Sequence, residues 1–456
     1  MIASTDNPKE VESLPPLVVT SQGGFTEPIR STPWSTDRME VQGIGTEARS
    51  MPEALNGLPS VMVQKTALGQ SSPYIRGLTG YHNLLLVEGI RLNHSAMRSG
   101  PNQYWSTVEM LGSERIEVVR GPNGIIHGAD AIGGVVNLLS AKPSFSESGV
   151  TQEGDFLGRL SSAERSWSAG LQGTVSSPEW FAELSYVERS FGDLQGGKNI
   201  GKQINVGYDS HATNFRLSRK TNETSELTLG IQRSFMDDVP RTHKTVDGLT
   251  WEGLSPGSER WRRLDQERDL YYGKFSWEDT GGFADQGIII LSLHRHGQER
   301  NRMKELTKGG DFQFFELDDY GLSARFEAND PWGGRIGYGA EIHHESLSSG
   351  GYKFDDDQVR GADLFQGPLA ADANYKRYSI YVNDSINGGS GWIFEPGIRI
   401  SSVRAELDRY YLNNSDASTL QAPETKKYDE WIGSLRVSRE MSERTFFFGG
   451  LSQGFR

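Results

Sequence analysis

A short polar segment, residues 93–105, carries most of the side chains that could bind a ligand. Its sequence, NHSAMRSGPNQYW, places His94, Arg98, Tyr104 and Trp105 close together along the chain. Arginine and tyrosine bind anions through charged hydrogen bonds and cation–π contacts, and an imidazole can coordinate a metal ion. A single histidine in a loop is more often only a solvated polar side chain. The segment is therefore a candidate site for an anionic or metal-containing ligand.

Two further histidine pairs have a spacing that could serve a metal site. His294 and His296 are two residues apart and share one face of a strand, whereas the adjacent His343 and His344 point to opposite faces. Two imidazoles without a nearby carboxylate or thiolate give weak support for a metal site, and the chain has no cysteine. We predict that all four are polar residues close to loops, and we predict no metal site.

Several glycines separate two apolar runs between residues 115 and 143. They are Gly121, Gly124, Gly128, Gly133 and Gly134. The segment has neither a GxxxxGK(S/T) nor a GxGxxG pattern, so a phosphate-binding loop is not indicated. We expect these glycines to serve turns and close backbone approach. No nucleophile–base arrangement has positional support, so we predict that the protein is not an enzyme, and the net charge of −13 argues against a nucleic-acid partner.

The elements around these segments fall into two groups, and the first is a compact α+β unit. Residues 51–58 predict a short helix with Pro52 in its first turn. Between residues 59 and 142 the apolar residues come in blocks, VMV, LLLV, IEVV and GGVVNLL. Uninterrupted apolar blocks predict strands that are covered on both faces.

The second group begins near residue 155, where apolar and polar residues alternate one by one. In EWFAELSY, for example, Trp180, Leu184 and Tyr186 share one side. This pattern predicts about thirteen strands with one apolar and one polar face. Short turns, near 177–178, 220–223, 279–285, 329–332, 388–390 and 441–442, alternate with long polar segments near 191–210, 237–266, 300–315, 347–375 and 405–428. Such alternation is typical of a transmembrane antiparallel β-barrel.

Aromatic residues lie beside the predicted short turns. They are Trp180, Trp277, Trp332, Trp392 and Phe446 to Phe448. A girdle at one membrane interface would explain their common position. The first residues have no apolar h-region, so we expect a signal peptide to be missing from this sequence. An odd strand number likewise predicts a barrel that is cut short.

Two long motifs in this order, YIRGLTGYHNLLLVEGIRLN (74–93) and ERIEVVRGPNGIIHGADAIGGVVNLLSAKP (114–143), resemble the plug domain of TonB-dependent outer-membrane receptors. The closing GLSQGFR resembles a barrel strand of the same family. The resemblance implies an α+β plug inside a barrel of 22 strands, of which about thirteen are present here. It divides the chain into an N-terminal tail (1–23), a plug (24–145) and part of the barrel (146–456).

The resemblance also implies partners and roles. Leu17, Val18, Val19 and Thr20 lie where the family keeps its TonB box, an extended and unpaired segment that adds as a strand to the C-terminal domain of TonB, in the TonB–ExbB–ExbD complex. Arg76 and Arg120 match arginines that form a plug–barrel latch with carboxylates of the barrel wall, and a purely structural ion pair is the alternative role for them. His94, Arg98, Tyr104 and Trp105 would lie at the ligand-binding apex of the plug.

The implied function is import of a scarce nutrient across the outer membrane of a Gram-negative bacterium. A ferric siderophore or other iron complex is the expected cargo, with no resident cofactor. Haem, for which His94 would be a ligand, cobalamin and an oligosaccharide are alternatives. A soluble β-rich binding protein is the alternative from another class. As a fragment, the chain would leave barrel edges unpaired in lipid, and we expect it not to insert alone.

Overall fold

The computed structural model describes residues 17–29, 32–42, 47–250, 255–278, 283–304, 309–331, 333–442 and 445–456. No helix among them is long and apolar enough to cross a membrane. The predicted aromatic residue Trp332 lies outside the described residues.

Among the helices whose full span the structure describes, the N-terminal unit has two of one turn each, and they lie between short strands. Its elements are β1 (Leu17–Val18), β2 (Glu27–Pro28), β3 (Ser35–Glu40), α1 (Met51–Ala54), β4 (Val61–Ala67), β5 (Gln70–Ile75), β6 (Asn83–Val87), β7 (Ile90–Arg91), β8 (Arg115–Arg120), α2 (Gly124–His127) and β9 (Gly134–Leu139). Three 3₁₀ turns, Thr20–Gln22, Gly80–His82 and Tyr104–Thr107, connect them. The central sheet has the order β3-β8-β9-β6-β7, and only β6 and β9 run parallel.

The apolar blocks form the strands of this sheet because both of its faces are covered. Leu85, Val118 and Val136 pack into one buried cluster, and their neighbours Leu84 and Val135 pack into another on the opposite face. Every residue of β6, β8 and β9 is buried. The predicted doubly covered strands are thus confirmed, and the predicted helix is confirmed over its first turn.

The second unit is one large antiparallel sheet. Its strands and the short strands in its connections are β10 (Thr151–Ser161), β11 (Ser166–Ser176), β12 (Trp180–Phe191), β13 (Leu194–Gln195), β14 (Lys202–Gln203), β15 (Tyr208–Asn222), β16 (Ser225–Pro240), β17 (Trp261–Trp277), β18 (Gln286–Met303), β19 (Gly310–Asn329), β20 (Arg335–Phe354), β21 (Arg360–Leu364), β22 (Asp372–Gly389), β23 (Trp392–Arg409), β24 (Glu424–Ser442) and β25 (Thr445–Ser452). Within the described ranges, thirteen strands pair in chain order from β10 to β25, and β21 pairs with β20. The predicted strand number is confirmed.

This sheet exposes its apolar side chains and buries its polar ones. In β23, Ile398 and Ile400 are 43% and 53% exposed. The residues that follow each of them, Arg399 and Ser401, are 1% and 3% exposed. The buried face covers the N-terminal unit, with α2 lying against β22, β23 and β24. A surface of this kind suits lipid outside and polar contacts inside.

The connections alternate in length, with one departure from the prediction. The segment 300–315 was expected to be a long loop, but β18 continues to Met303 and β19 begins at Gly310. The prediction was wrong because the end of β18 carries polar residues on both faces, such as the adjacent Glu299 and Arg300, and so lacks the alternation that marks a strand. Trp180, Trp277 and Trp392 each lie at a strand end beside a short connection.

Candidate ligand site and N-terminal coupling segment

The N-terminal segment Leu17–Thr20 is bound to the plug sheet by one carboxylate. Glu117 Oε2 accepts hydrogen bonds from the backbone N–H groups of Val19 (3.0 Å) and Thr20 (2.8 Å) and from the Thr20 hydroxyl (2.6 Å). Glu117 is in the middle of β8, and Arg115 holds its other oxygen at 2.8 Å. Thr20 is therefore fixed against the core of the plug.

Two further side chains hold Thr20 from other elements. The imidazole of His127, at the end of α2, lies with Nε2 2.8 Å from the Thr20 carbonyl oxygen, and Asn137 of β9 donates to the Thr20 hydroxyl at 3.1 Å. Burial lowers the pKa of His127 to about 3, with the positive charge of Arg325 acting in the same direction. His127 is thus neutral at neutral pH and holds the Thr20 carbonyl as a structural residue.

The segment was predicted to be extended and unpaired, and that part of the prediction is wrong. Leu17 pairs with Pro28 and Val18 with Glu27 in a small antiparallel ladder. Val18 is fully buried, while Leu17 is 46% exposed. The short β-branched segment folds back because the turn at Gly23, with φ +69°, lets it reach its own continuation.

The predicted plug–barrel latch at Arg76 and Arg120 is also wrong. Arg120 pairs with Asp37 and donates to the Ser35 hydroxyl, and both partners belong to the plug. Arg76 has a left-handed backbone with φ +51°, is exposed, and forms no ion pair with any residue that the structure describes. Arg120 lies at the end of β8, where the pairing of β8 with β3 places Ser35 opposite it and Asp37 close by.

In the contacts between plug and barrel, the arginines belong to the barrel and the acceptors are carbonyl oxygens of the plug. This is the reverse of the predicted arrangement, in which plug arginines bind the barrel. Arg325 of β19 donates to the carbonyls of Gly23 and Gly89, each at 3.0 Å. Arg399 of β23 donates to the carbonyls of Ile125 (3.1 Å) and Ile126 (3.2 Å) at the helix α2.

Charged pairs between the two units add to these contacts. Arg189 of β12 pairs with Glu109, Lys274 of β17 with Glu88 at 3.2 Å, and Arg49 of the plug with Glu164 at 3.1 Å. Burial raises the pKa of Glu109, but the charge of Arg189 outweighs it, and the net shift is downward. The plug supplies Glu88 and Glu109, so the predicted roles of cation and carboxylate are largely exchanged between the units.

The plug segment 93–105 reaches the barrel wall through His94. The His94 ring centroid lies 5.2 Å from that of Tyr104, 5.2 Å from that of His296 and 6.0 Å from that of His294. His94 is 2% exposed, and burial lowers its pKa to about 4. Phe315 of β19 stacks on His296 at a centroid distance of 5.9 Å. An aromatic and imidazole cluster thus lies between plug and wall.

The other predicted ligand residues are placed differently from one another. Tyr104 is 5% exposed and touches the His296 ring edge-on at 4.8 Å. Arg98 is exposed and donates to Gln103 at 2.7 Å. Trp105 is 1% exposed and packs in the main core of the plug with Met51 and Leu55, so its expected contact with a ligand is contradicted.

The prediction that the histidine pairs are loop-proximal polar residues is wrong for three of the four residues. His294 and His296 lie within β18 and are each 2% exposed. His343 is buried with Nδ1 3.0 Å from Asp319, whereas His344 faces outward and contacts Asn374. The opposite orientation of His343 and His344 is as predicted. As the rings stand, the described residues contain no group of three or more histidine, aspartate, glutamate or cysteine side chains arranged to hold a metal ion.

Comparisons with known proteins agree on one family. Residues 28–135 match the model of the TonB-dependent receptor plug domain. Residues 28–135 are thus a TonB-dependent receptor plug domain. A vitamin B12 transporter, BtuB of Photobacterium profundum, is 34% identical over 148 residues, which are 31% of this chain and 24% of that protein. The match therefore spans only about a quarter of the curated relatives.

Solved TonB-dependent receptors share the fold of the plug and of the large sheet. The copper transporter OprC superposes with a TM-score of 0.74 at 12% identity, covering 93% of this chain and 62% of its own. The ferric yersiniabactin uptake receptor FyuA from Yersinia pestis gives 0.70 at 14% identity, with 93% and 65% covered. The family is one of receptors and transporters, and the predicted fold class is confirmed.

Sequence reasoning missed the barrel arginines that bind the plug, although a signal for them exists. Arg399 stands between Ile398 and Ile400, and Arg325 between Ala324 and Phe326. An arginine at an inward position of an alternating strand must find acceptors inside the sheet. Such arginines could therefore have been identified as plug contacts from the alternation alone.

Proposed function

We propose that the chain is part of an outer-membrane receptor that imports a scarce nutrient with energy delivered by TonB. The main observation that supports this proposal is the hydrogen bonding of Val19 and Thr20 to Glu117 in β8. A pull on the N-terminal segment is transmitted through these bonds to a central strand of the plug. Transport would then follow from displacement of plug residues against the barrel wall.

The partner we propose is the C-terminal domain of TonB, acting with ExbB and ExbD. Strand addition needs an extended segment with free backbone groups. Leu17 is the exposed member of the segment, and its partner strand is the two-residue β2. Within the described part of the chain the β1–β2 ladder has two residue pairs, and we propose that a TonB strand replaces β2 there.

The outward apolar face of the large sheet supports a location in the outer membrane. Leu184, Leu291 and Ile380 are 53%, 61% and 59% exposed on that face. Side chains of this kind have a lower free energy in lipid than in water. The tryptophans at the short connections would lie at one interface.

The cargo we propose is a metal-bearing nutrient, with a ferric siderophore or other iron complex as the first candidate. The exposed guanidinium of Arg98 is available to an anionic chelate, and the same plug segment carries the imidazole of His94. The named relatives carry vitamin B12, copper and ferric yersiniabactin. The cargo must therefore be assigned from residues of this chain.

Uptake of radiolabelled iron by cells carrying the full-length receptor tests this function. We compare a strain with TonB, a strain without it, and the receptor variant Val18→Pro, which removes a backbone donor from the coupling segment. Val18→Thr, which keeps an extended backbone, is the matched control. The proposal expects energised uptake only with TonB, its loss in Val18→Pro with surface binding retained, and its survival in Val18→Thr. Equal uptake with and without TonB would overturn it.

A further inference from the structure

Five of the nine histidines are buried at or near the contact between plug and barrel. They are His94, His127, His294, His296 and His343. Three of these converge: the His94 ring is 5.2 Å from His296 and 6.0 Å from His294, and the latter two are 6.2 Å apart. His294 and His296 face the same side because they are two residues apart in β18. His94 approaches that side from the plug.

The nitrogens of this cluster are buried without partners. Neither ring nitrogen of His94 nor of His294 has a hydrogen-bond partner among the described residues. His296 lies with Nε2 3.2 Å from the Gln266 side-chain oxygen. A buried imidazole without a partner is costly, and native structures keep such groups where a ligand or ion uses them. Two fully unpartnered imidazoles in contact therefore point to a ligand that accepts nitrogen donors.

We propose that His94, His294 and His296 bind one late first-row transition-metal ion, Cu²⁺ or Zn²⁺, between the plug and the barrel wall. Three imidazoles on a tetrahedral ion, with metal–nitrogen distances of about 2.0–2.1 Å, have ring centroids roughly 5 Å apart. The pair His94–His296 already has this separation, and His294 must approach by about 1 Å. The rings as they stand do not form a complete site among the described residues, so binding turns them toward a common point.

The chemistry of the donors selects the ion. Neutral imidazoles favour copper, zinc and nickel, whereas Mg²⁺ and Ca²⁺ require oxygen ligands. Tyr104 and Phe315 border the cluster and exclude water from it. A dry site strengthens coordination by fixed donors.

Two buried acidic residues lie near the cluster, Asp319 beside its partner His343, and the buried guanidinium of Arg268 lies near the same histidines. Asp319 pairs with His294 in the strand register, and Glu345 pairs with Asp319. Glu345 accepts a hydrogen bond from the backbone N–H of Ser95, the residue after His94, at 2.7 Å, while its other oxygen has no partner among the described residues. Two buried carboxylates therefore lie close to the place where the ion would bind.

This proposal deepens the proposed function by naming a metal ion as the cargo, and it rests on that function for transport but not for binding. The site lies at the contact of His94 on the plug with His294 and His296 on the barrel. An ion held there joins the two units, and displacement of the plug removes one of its three ligands. Loss of one of the three ligands weakens binding of the ion, and the ion can then leave toward the periplasmic side of the receptor.

Metal binding to the full-length receptor in detergent tests the site. Cu²⁺ and Zn²⁺ are titrated by calorimetry, with Mg²⁺ and Ca²⁺ as hard-cation controls, and bound Cu²⁺ is examined by electron paramagnetic resonance for nitrogen coupling. The expected result is one ion per chain with imidazole nitrogen coupling. His94→Asn, His294→Asn and His296→Asn should each weaken binding by at least about tenfold. His344→Asn, adjacent in sequence to His343 but outward-facing, is the control and should bind as the wild type does.

The outcomes separate the site from the transport function. No stoichiometric Cu²⁺ or Zn²⁺ binding by the wild type, or equal binding by the three asparagine variants with heat-modifiable mobility retained, overturns the site. Metal binding that depends on the three histidines, together with metal uptake that is the same with and without TonB, supports the site and overturns the proposed function. TonB-dependent uptake of a ferric chelate without metal-ion binding supports the function and overturns the site.

Discussion

The imidazole Nε2 of His127 donates a hydrogen bond to the carbonyl oxygen of Thr20 over 2.8 Å, across 107 residues of chain. The carbonyl of His127 in turn accepts from Arg91, and Arg91 pairs with Asp130 at 3.1 Å. Asp130 also accepts from the Asn93 amide at 3.2 Å. An unbroken set of hydrogen bonds thus joins the N-terminal segment to the residue before His94.

Removing the charge of Glu117 should free the N-terminal segment. Glu117→Ala deletes three hydrogen bonds to Val19 and Thr20, and no other carboxylate of the described residues holds those groups. The chain has no cysteine, so a spin label on Leu17→Cys reports this segment alone. We expect a mobile spectrum in Glu117→Ala and an immobilised one in the parent. Glu114→Ala, which removes a more exposed partner of Arg115, is the control. A label that stays immobilised in Glu117→Ala would show that the ladder with β2 suffices.

Arg399 should hold the plug to the wall, and Arg76 should not. Arg399→Ala removes the donor that binds the carbonyls of Ile125 and Ile126. It also removes the guanidinium that lies 2.5 Å from the carboxylate of Glu341, which is 5% exposed. Loss of one partner of a buried pair costs about 3–5 kcal/mol. We expect faster hydrogen–deuterium exchange in residues 124–128 and a lower guanidinium midpoint.

The control for this change is on the same strand. Arg404→Ala removes an arginine that is 53% exposed and pairs with Glu406, and a surface pair contributes about 0–1 kcal/mol. Arg76→Ala should likewise leave exchange in residues 124–128 as in the wild type. Equal effects of Arg399→Ala and Arg76→Ala would restore Arg76 to the role of latch.

Acid should weaken the attachment of the N-terminal segment through His127. Its pKa is lowered to about 3 in the folded protein, mainly by burial, from an ordinary value of 6.5. The unfolded chain therefore binds a proton that the folded one does not. The stability from neutral His127 is present above pH 6.5 and is lost progressively as the pH falls from 6.5 toward 3. Guanidinium midpoints measured from about pH 8 down to about pH 5 should therefore fall for the wild type.

The matching variant is His127→Gln, which keeps a donor and does not titrate. Its midpoint should change less with pH than that of the wild type. His82→Gln, a partly exposed plug histidine, should keep the wild-type dependence. An unchanged pH dependence in His127→Gln would assign the acid sensitivity to other buried groups.

The strands of both units could be predicted from sequence because burial on one face or on two leaves a different local pattern. The block Leu84–Val87 is apolar throughout since both faces are covered, and Ile398 to Ser401 alternates since one face of the strand is buried and the other is exposed. The motif also singled out Arg120, but the sequence could not show that its partner is Asp37. That contact depends on the pairing of β3 with β8. The three-histidine cluster was missed for the same reason. His94 and His294 are far apart in the chain, and only the docking of plug in barrel brings them together.

The glycine-rich motif provides the last prediction, because its glycines differ in what a side chain would meet. A Cβ on Gly134 would lie 2.8 Å from the Val119 carbonyl oxygen and 3.0 Å from Ile75. Both neighbours belong to the plug sheet and its buried surroundings, so neither can move freely. Gly134→Ala should destabilise the plug by about 1–3 kcal/mol, the usual cost of overpacking. Gly154→Ala in β10, whose Cβ would have its nearest contact, the Gln172 carbonyl oxygen of β11, at 3.5 Å, should be close to neutral. Guanidinium unfolding of the two variants side by side measures the difference, and a stable Gly134→Ala plug would mean that β8 and β9 can separate to admit a methyl group.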